Sequence, residues 1–439
     1  MNVIINGKQI EIQDGLTVLQ AVKVAGVFIP TLCHLEKINE ISACRVCLAE
    51  VNGKLVPACS TAAAADMQII TDSERVRAAR RRSLELICAD HCMDCTDCPR
   101  GADCELRDLC REYEVDDQAF GIGRRKAITE TSAPHLIRDN GKCILCRRCE
   151  ATCRTVQGIG AIGVTGRGGE TTVGFGLPLA ETDCIRCGQC IAVCPTGALS
   201  VKDATRQTWK AILSAEKKKT AAFVSPEVCR QLETIFGAAA GEDCEGKTAA
   251  MLRRIGFSEV FLIGSGVSAC PAWRNYLEKH HPELSDRLPR NGTPWERAAE
   301  EYRAGCGKDV HITVITPCTA AKGTAGGYDN ALTGRELAAM WRRACVSSFT
   351  AVEIWKSLAP EPFDRVWPDE PDEIAAEGIA NAEALLAAGT LKSLNVLACP
   401  GGCSCGGGMT AESVLKEKEY SDTKKKEEKK CPTPSSCAR

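Results

Sequence analysis

The run Cys143-x2-Cys146-x2-Cys149-x3-Cys153 recurs as Cys184-x2-Cys187-x2-Cys190-x3-Cys194, with Pro195 after the second copy and Arg154 after the first. This duplication constrains the chain more than any other feature. A stretch so dense in thiols has too few large apolar side chains to fold around itself and needs an inorganic centre. It belongs to a wider pattern, since 29 of 439 residues are cysteine. In an exported chain that count would mean disulfides. The N-terminus, Met1-Asn2-Val3-Ile4-Ile5-Asn6-Gly7-Lys8, lacks both the basic and the long apolar segment of a signal peptide. Metal-ligating thiolates are therefore expected, in a reducing, anaerobic cytoplasm. A net charge of −2 supplies no basic field for nucleic acid, and 5% aromatics leave little for base stacking. Apolar runs fall far short of the ~18 residues of a membrane span. The expected partners thus include no nucleic acid, and no membrane span is expected.

Around the cysteines the periodicity changes along the chain. Val3-Ile4-Ile5 and Gln9-Ile10-Glu11-Ile12 flank Asn6-Gly7, a hairpin turn pair. Thr17–Ala25 reads as a helix ending at Gly26, and Asp72–Leu86 as a second, capped by Asp72 or Ser73. Its Arg80-Arg81-Arg82 run reads as a solvated face. Residues 111–135 are polar and linker-like. From 206 to 405, apolar runs (Ala221–Val224, Val260–Ile263, Ile312–Ile315, Asn395–Ala398) alternate with helical patterns, as in an α/β sheet of mixed or parallel strands. Lys416–Lys430 is a mixed-charge tail. Gly264-Ser265-Gly266 lacks the third glycine of a dinucleotide fingerprint, so no nucleotide site is expected.

Four cluster sites are expected in the N-terminal half. Cys33, Cys44, Cys47 and Cys59 are four thiolates suited to a [2Fe–2S] centre, with zinc the competing occupant. A lone Cys95-x2-Cys98 is a weak signal, but His91, Cys95, Cys98 and Cys104 with the residues that follow are similar to the His-ligated [4Fe–4S] domain of the large iron–sulfur subunit of respiratory complex I and of [FeFe] hydrogenases. The resemblance implies a cluster in which an imidazole replaces one thiolate and raises the potential, with Cys92 competing with His91. The duplicated runs have the two-cluster bacterial ferredoxin arrangement, in which the fourth cysteine of each run serves the other cluster. One cube is then held by Cys143, Cys146, Cys149 and Cys194, the other by Cys153, Cys184, Cys187 and Cys190.

The segments Ile29–Cys33, Ala43–Cys47 and Leu55–Ser60, with Cys104-Glu105-Leu106-Arg107-Asp108-Leu109, resemble the large iron–sulfur subunit of respiratory complex I and the N-terminal half of [FeFe] hydrogenases. The motifs Ser268–Trp273, Thr316–Lys322, Asp329–Leu337, Gly378–Ala382 and Leu397–Cys403 with Gly406–Gly408 resemble the catalytic domain of the [FeFe]-hydrogenase family. The resemblance covers roughly residues 1–410. It implies an α+β multidomain chain. A β-grasp [2Fe–2S] ferredoxin domain (1–77) is followed by a [4Fe–4S] domain with one histidine and three cysteine ligands (78–118) and a 2[4Fe–4S] ferredoxin domain (134–205). A shortened α/β hydrogenase-like domain (206–412) and a charged tail (413–439) complete it.

The resemblance further implies a fifth cluster, a [4Fe–4S] cube on Cys270, Cys318, Cys399 and Cys403. In the family, the cysteine at the Cys403 position bridges to a di-iron unit carrying CO, cyanide and a dithiolate. The acid–base groups around that unit are changed here. Ala269 replaces a proton-relaying cysteine, Ala321 a cyanide-binding lysine (Lys322 is one place later), and Thr324 a glutamate. Thr316 and Leu397 replace methionines, and Met409 a glutamine. Only Leu262–Val267 stands where a glutamate-bearing helix is expected, and a Gly-rich wall between Leu337 and Gly378 is missing. Hydrogen turnover needs groups of suitable pKa at each proton step, so a di-iron unit and a catalytic residue set are not expected.

The implied function is an electron-transfer subunit of an NAD(P)-linked, electron-bifurcating type of oxidoreductase complex. Implied partners are flavin- and NAD-binding complex I-like subunits and a [2Fe–2S] thioredoxin-like subunit, with formate dehydrogenase or free ferredoxin at the other end. The alternatives are an active shortened [FeFe] hydrogenase and a redox or hydrogen sensor. Cys88, Cys92, Cys110, Cys229, Cys244, Cys306 and Cys345 have no paired spacing and read as core or surface thiols. Cys405 reads as a neighbour of the Cys403 site, and Cys431 and Cys437 have no assigned role.

Overall fold

The computed structural model describes residues 1–101, 104–120, 128–214, 219–239, 241–264, 270–287, 292–307, 309–323, 326–345, 351–367, 376–388, 396–399 and 403. Ala269, Thr324, Cys405, Gly406–Gly408, Met409, Cys431, Cys437 and the charged tail lie outside these residues.

Strands β1 (Asn2–Ile5) and β2 (Lys8–Glu11) pair antiparallel with Ile5 opposite Lys8. The two residues between them, Asn6 and Gly7, have φ of 49° and 80°, the left-handed pair that matches strand twist. Helix α1 (Val18–Val24) opens on a capping box in which Thr17 and Gln20 satisfy each other's backbone N–H. Strands β3 (Leu48–Val51), β4 (Lys54–Pro57) and β5 (Gln68–Ile70) complete a sheet of order β2-β1-β5-β3-β4, in which β1 and β5 run parallel. Val3, Ile5, Val18, Val22 and Ile69 fill the space between sheet and helix, and Cys47 and Cys59 lie against this core.

Helix α2 (Glu74–Ala89) is capped by Ser73, whose hydroxyl accepts from Val76 N–H at 3.2 Å. Arg80 departs from the expected solvated face: it is 2% exposed. It donates to Leu48 O at 2.7 and 3.0 Å and to the Tyr113 hydroxyl at 3.0 Å, tying the first sheet to the end of the next helix, α3 (Glu105–Glu112). Five donors on a rigid fork satisfy partners on two elements, so the charge is tolerated inside.

Strands β6 (Thr129–Glu130) and β7 (Leu136–Asp139) precede the first duplicated run, which ends in α4 (Arg148–Ala151) and a π-helical turn at Thr152–Val156. After the hairpin β8 (Gly163–Thr165) and β9 (Thr172–Gly174), the second run enters α5 (Gln189–Ala192) and β10 (Leu199–Val201), which pairs antiparallel with β7. The duplication is written in the backbone. Leu145 and Arg147 have φ of 55° and 61°, and their counterparts Arg186 and Gly188 have 65° and 71°. Left-handed residues between the cysteines of each run curl the chain so that N–H groups and thiols face one centre.

Helix α6 (Thr205–Ile212) leads into strands β11 (Lys219–Val224), β12 (Glu259–Leu262), β13 (Val310–Ile315), β14 (Asn330–Leu332) and β15 (Arg365–Val366), arranged β14-β13-β11-β12-β15. Every pairing is parallel. Alternate residues of β11 serve the two faces. Ala222 and Val224 pack with α7 (Pro226–Phe236), α8 (Cys244–Ile255), α11 (Gly334–Ala344) and α12 (Ala351–Ser357). Ala221 and Phe223 pack toward α10 (Pro294–Cys306). A parallel sheet is covered on both faces, which explains why its strands read as unbroken apolar runs. The fourth such run behaves differently: β17 (Val396–Leu397) pairs with β16 (Ala376–Glu377), outside this sheet. Together with α9 (Pro271–His280) and α13 (Ile379–Ala387) it forms a smaller core around Trp273 and Ile379.

Candidate cluster sites

Among the described residues no three His, Cys, Asp or Glu side chains are arranged to hold a single metal ion. The cysteines nevertheless gather in sets. In the first set, Cys47 and Cys59 bring their sulfurs to 3.2 Å, and Cys33 and Cys44 are hydrogen-bonded to each other. One thiol of each pair is stabilised as thiolate: the hydrogen bond from Cys33 lowers Cys44 to about 6, and that from Cys47 lowers Cys59 to about 6. The N–H groups of Val46 and Leu32 add to the effect at Cys44, and the Ser42 hydroxyl to that at Cys59. Arg45 and Ser42, at φ of 57° and 53°, bend the loop around these sulfurs.

In the second set Cys95, Cys98 and Cys104 are electrostatic neighbours. His91 is 5% exposed, and its Nδ1 has no hydrogen-bond partner. Burial, aided by Lys142, holds the imidazole down at about 4, so it is neutral and able to ligate at ordinary pH. The competitor Cys92 is half-buried and its backbone N–H binds Gly141 O at 2.8 Å. The set abuts the ferredoxin-like segment so closely that a Cβ on Gly197 would stand 2.5 Å from Cys98 Sγ. Gly197→Ala is therefore expected to displace Cys98 and empty this site, lowering reconstituted iron by about four per chain. Iron assay, with loss of one paramagnetic signal, checks it.

Cys143, Cys146, Cys149 and Cys194 line one small cavity. Cys153 falls with Cys184, Cys187 and Cys190. Each run thus sends its last cysteine to the other's group. Burial pushes the thiols of Cys146, Cys149, Cys153, Cys184, Cys187 and Cys190 up. Buried thiolates need a cation beside them, as iron would supply. Beside this group His135 is 1% exposed, with Nε2 3.8 Å from Cys184 Sγ. Burial first, then Arg186, Lys202 and Lys279, lower it to about 3. The unfolded chain binds a proton near 6.5 that the folded chain refuses. Stability is expected to rise with pH between about 3 and 6.5. His135→Gln is expected to flatten that slope in urea titrations.

The fifth set is brought together from three loops. Cys270 precedes α9, Cys318 follows β13, and Cys399 and Cys403 follow β17. All four line one small cavity. The N–H groups of Ala398, Trp273 and Ala272 point at Cys270, and those of Ala321 and Ala320 at Cys318. Burial nevertheless pushes Cys318 up to about 12 and also raises Cys270, Cys399 and Cys403. The rest of the lining is Pro271, Ala272, Trp295, Leu397, Ala398 and Cys187. No carboxylate, lysine or histidine lines it among the described residues. Lys322 is turned away: its ammonium donates to Ala331 O at 2.8 Å and Glu336 Oε1 at 2.9 Å. Thr316 is buried, and its hydroxyl accepts from Cys318 N–H at 3.3 Å.

These sets are physically joined. Asn39, 3% exposed, donates to Cys33 O at 2.7 Å and Cys146 O at 2.9 Å. Cys33, Cys44, Cys104 and Cys146 share one apolar core. Arg148 binds Glu105 at 2.9 Å. Cys187 lines the C-terminal cavity, and Gln189 hydrogen-bonds Cys399 sulfur. Thr319 donates to Arg186 O, and Asn275 to Ile185 O. Cysteine spacing points to none of Asn39, Gln189, His135 or Trp295, whose buried indole N–H in the C-terminal cavity has no partner. What marks these residues is position between segments distant in sequence.

Family models match in four places. They are a 2Fe–2S iron–sulfur cluster binding domain at 1–74 and the NADH-ubiquinone oxidoreductase-G iron–sulfur binding region at 80–119. A 4Fe–4S dicluster domain follows at 142–198, and the C-terminal domain of the iron-only hydrogenase large chain at 263–371. The NADP-reducing hydrogenase subunit HndD of Solidesulfovibrio fructosivorans is 30% identical over 518 aligned positions, covering 93% of this chain and 88% of that one. About 408 residues of this chain fill those positions, so about 110 positions of the relative face gaps here. An NADH-quinone oxidoreductase chain of the G type from Rhizobium meliloti (strain 1021) is 35% identical over 45% of this chain and 24% of its own length. Among solved structures, an NAD+-reducing [NiFe]-hydrogenase chain aligns with a TM-score of 0.44 at 28% identity, over 46% of this chain and 88% of that one. A match along nearly all of a hydrogenase subunit, together with the C-terminal domain, makes this chain a member of the iron-only hydrogenase family.

Proposed function

We propose that this chain is an iron–sulfur electron conduit within an NAD(P)-linked oxidoreductase complex, and that its C-terminal domain keeps a cube-binding site while lacking hydrogen chemistry. The observation that carries the reading is the cavity of Cys270, Cys318, Cys399 and Cys403, whose described lining keeps the four sulfurs and carries no carboxylate, lysine or histidine. Lys322 is committed to Glu336, and the gaps against the hydrogenase relative are consistent with a chain shorter than that relative. In this reading the sites are Cys33/Cys44/Cys47/Cys59, His91/Cys95/Cys98/Cys104, Cys143/Cys146/Cys149/Cys194, Cys153/Cys184/Cys187/Cys190 and the C-terminal four. The first two converge on the third, and electrons pass singly from there through the fourth to the last. The sheet order β2-β1-β5-β3-β4 over one helix supports a β-grasp first domain. Named relatives that are subunits of NADP- and NADH-linked enzymes support flavin- and NAD-binding partners.

The test is iron and sulfide analysis with electron paramagnetic resonance on anaerobically purified protein. About 18 irons per chain are expected, from one two-iron and four four-iron centres. About 14 would remove the C-terminal cube, since each cube holds four irons. Nearly iron-free protein would end the proposal. Co-purification with a flavoprotein tests the complex.

A further inference from the structure

We propose that Cys88 and Cys110 form a dithiol–disulfide site that reacts with low-molecular-weight disulfides and, when oxidised, closes the segment carrying His91, Cys95, Cys98 and Cys104. Cys88 lies in the last turn of α2 and Cys110 within α3, and their sulfurs stand 3.4 Å apart. Bond formation requires an approach to about 2.0 Å, within reach of side-chain rotation. All four candidate ligands of the second site fall between positions 88 and 110. A bond at that pair would therefore staple α2 to α3 across the whole segment. The pair shares an apolar core with Cys33, Cys44, Cys104 and Cys146, where the first three sites meet. Cys88 is 2% exposed and Cys110 is half-buried, so oxidant reaches Cys110 first. A disulfide in a reducing compartment is transient and redox-responsive, which suits a reversible fastener.

The chemistry balances. The two sulfurs share a hydrogen bond that either can donate; with the proton on Cys88, the Cys110 sulfur attacks one sulfur of the small disulfide, its S–S bond breaks, and one thiolate leaves with that proton. Cys88 thiolate then attacks Cys110 sulfur and expels the second. Two protein thiols are oxidised and one small disulfide is reduced to two thiols, which carry off the two protons. The effect on the segment rests on the ligand reading above; the bond itself does not.

The experiment uses anaerobic holoprotein equilibrated with graded ratios of oxidised to reduced glutathione, quenched by alkylation and mapped by peptide mass. A cross-linked 88–110 peptide, reversible by dithiothreitol, is expected. Separate alkylation of both residues at every ratio, or glutathione left on Cys110 alone, overturns the proposal. Chelator extraction of iron should slow several-fold after oxidation in the wild type and stay unchanged in Cys88→Ser. Equal rates in the wild type overturn the closing role. Cys88→Ser and Cys110→Ser should keep full iron and the unaltered resonance of the second site. Loss of that signal in Cys110→Ser would make Cys110 a ligand and sink the proposal, whereas loss of iron from the wild type would count against the ligand reading instead.

Discussion

Protein produced with a complete hydrogenase maturation system and reduced with a strong dye is expected to evolve dihydrogen no faster than dye alone. Its infrared spectrum is expected to lack bands of metal-bound carbon monoxide and cyanide. Each positioned proton carrier contributes about 10²–10⁴-fold to such chemistry, so losing successive carriers removes the reaction from measurable range. The apolar lining beside the four thiols is the physical ground. Among the described residues, Pro271, Ala272, Leu397 and Ala398 of the lining can exclude water from a cluster but offer no group to load or release a proton. Brisk gas evolution would show that another route delivers protons. Absorption of cyanide and carbonyl ligands without gas would point instead to a sensor.

Lys322→Met is expected to destabilise the C-terminal domain by about 3–5 kcal/mol, the cost of leaving a buried charge without its partner. Lys322 and Glu336 are 6% and 8% exposed. Glu336 Oε1 also accepts from Ala204 N–H at 2.8 Å, and Oε2 accepts from Thr333 N–H at 2.8 Å. The pair thereby ties the loop after Cys318 to α11 and to the entry of α6. Urea unfolding of the holoprotein checks the magnitude. The double variant Lys322→Met, Glu336→Gln should recover part of the loss, because the orphaned charge is gone while the side-chain oxygen still accepts from one of its buried N–H partners. If the single variant instead left stability untouched but changed the cluster's spectrum, Lys322 would belong to the pocket after all.

Much of this molecule is legible in one dimension because its candidate ligands are local. Short spacings such as Cys44-x2-Cys47 or the duplicated runs must curl around one centre whatever surrounds them, and the left-handed residues at matched positions of both runs are the backbone's record of that requirement. Period-two and apolar runs likewise announce the first hairpin and the central strands. The run at Arg80 looks solvated in sequence because helix periodicity alone does not reveal a carbonyl and a phenol waiting on neighbouring elements. The run at Asn395–Ala398 looks like a fourth strand of the main sheet because apolar sequence says that a strand is buried, not which strand it joins.

What the sequence by itself determined, then, was which cysteines lie close enough along the chain to be gathered, together with the α/β character of the C-terminal half; that every pairing of its main sheet is parallel came from the fold. Tertiary structure alone decided which way Lys322 points, that Asn39 bridges the loops of Cys33 and Cys146, and that Cys88 meets Cys110. Ligand spacing is a short-range constraint set by the size of an inorganic centre. Contacts between distant segments depend on how whole elements pack, and no local pattern encodes them.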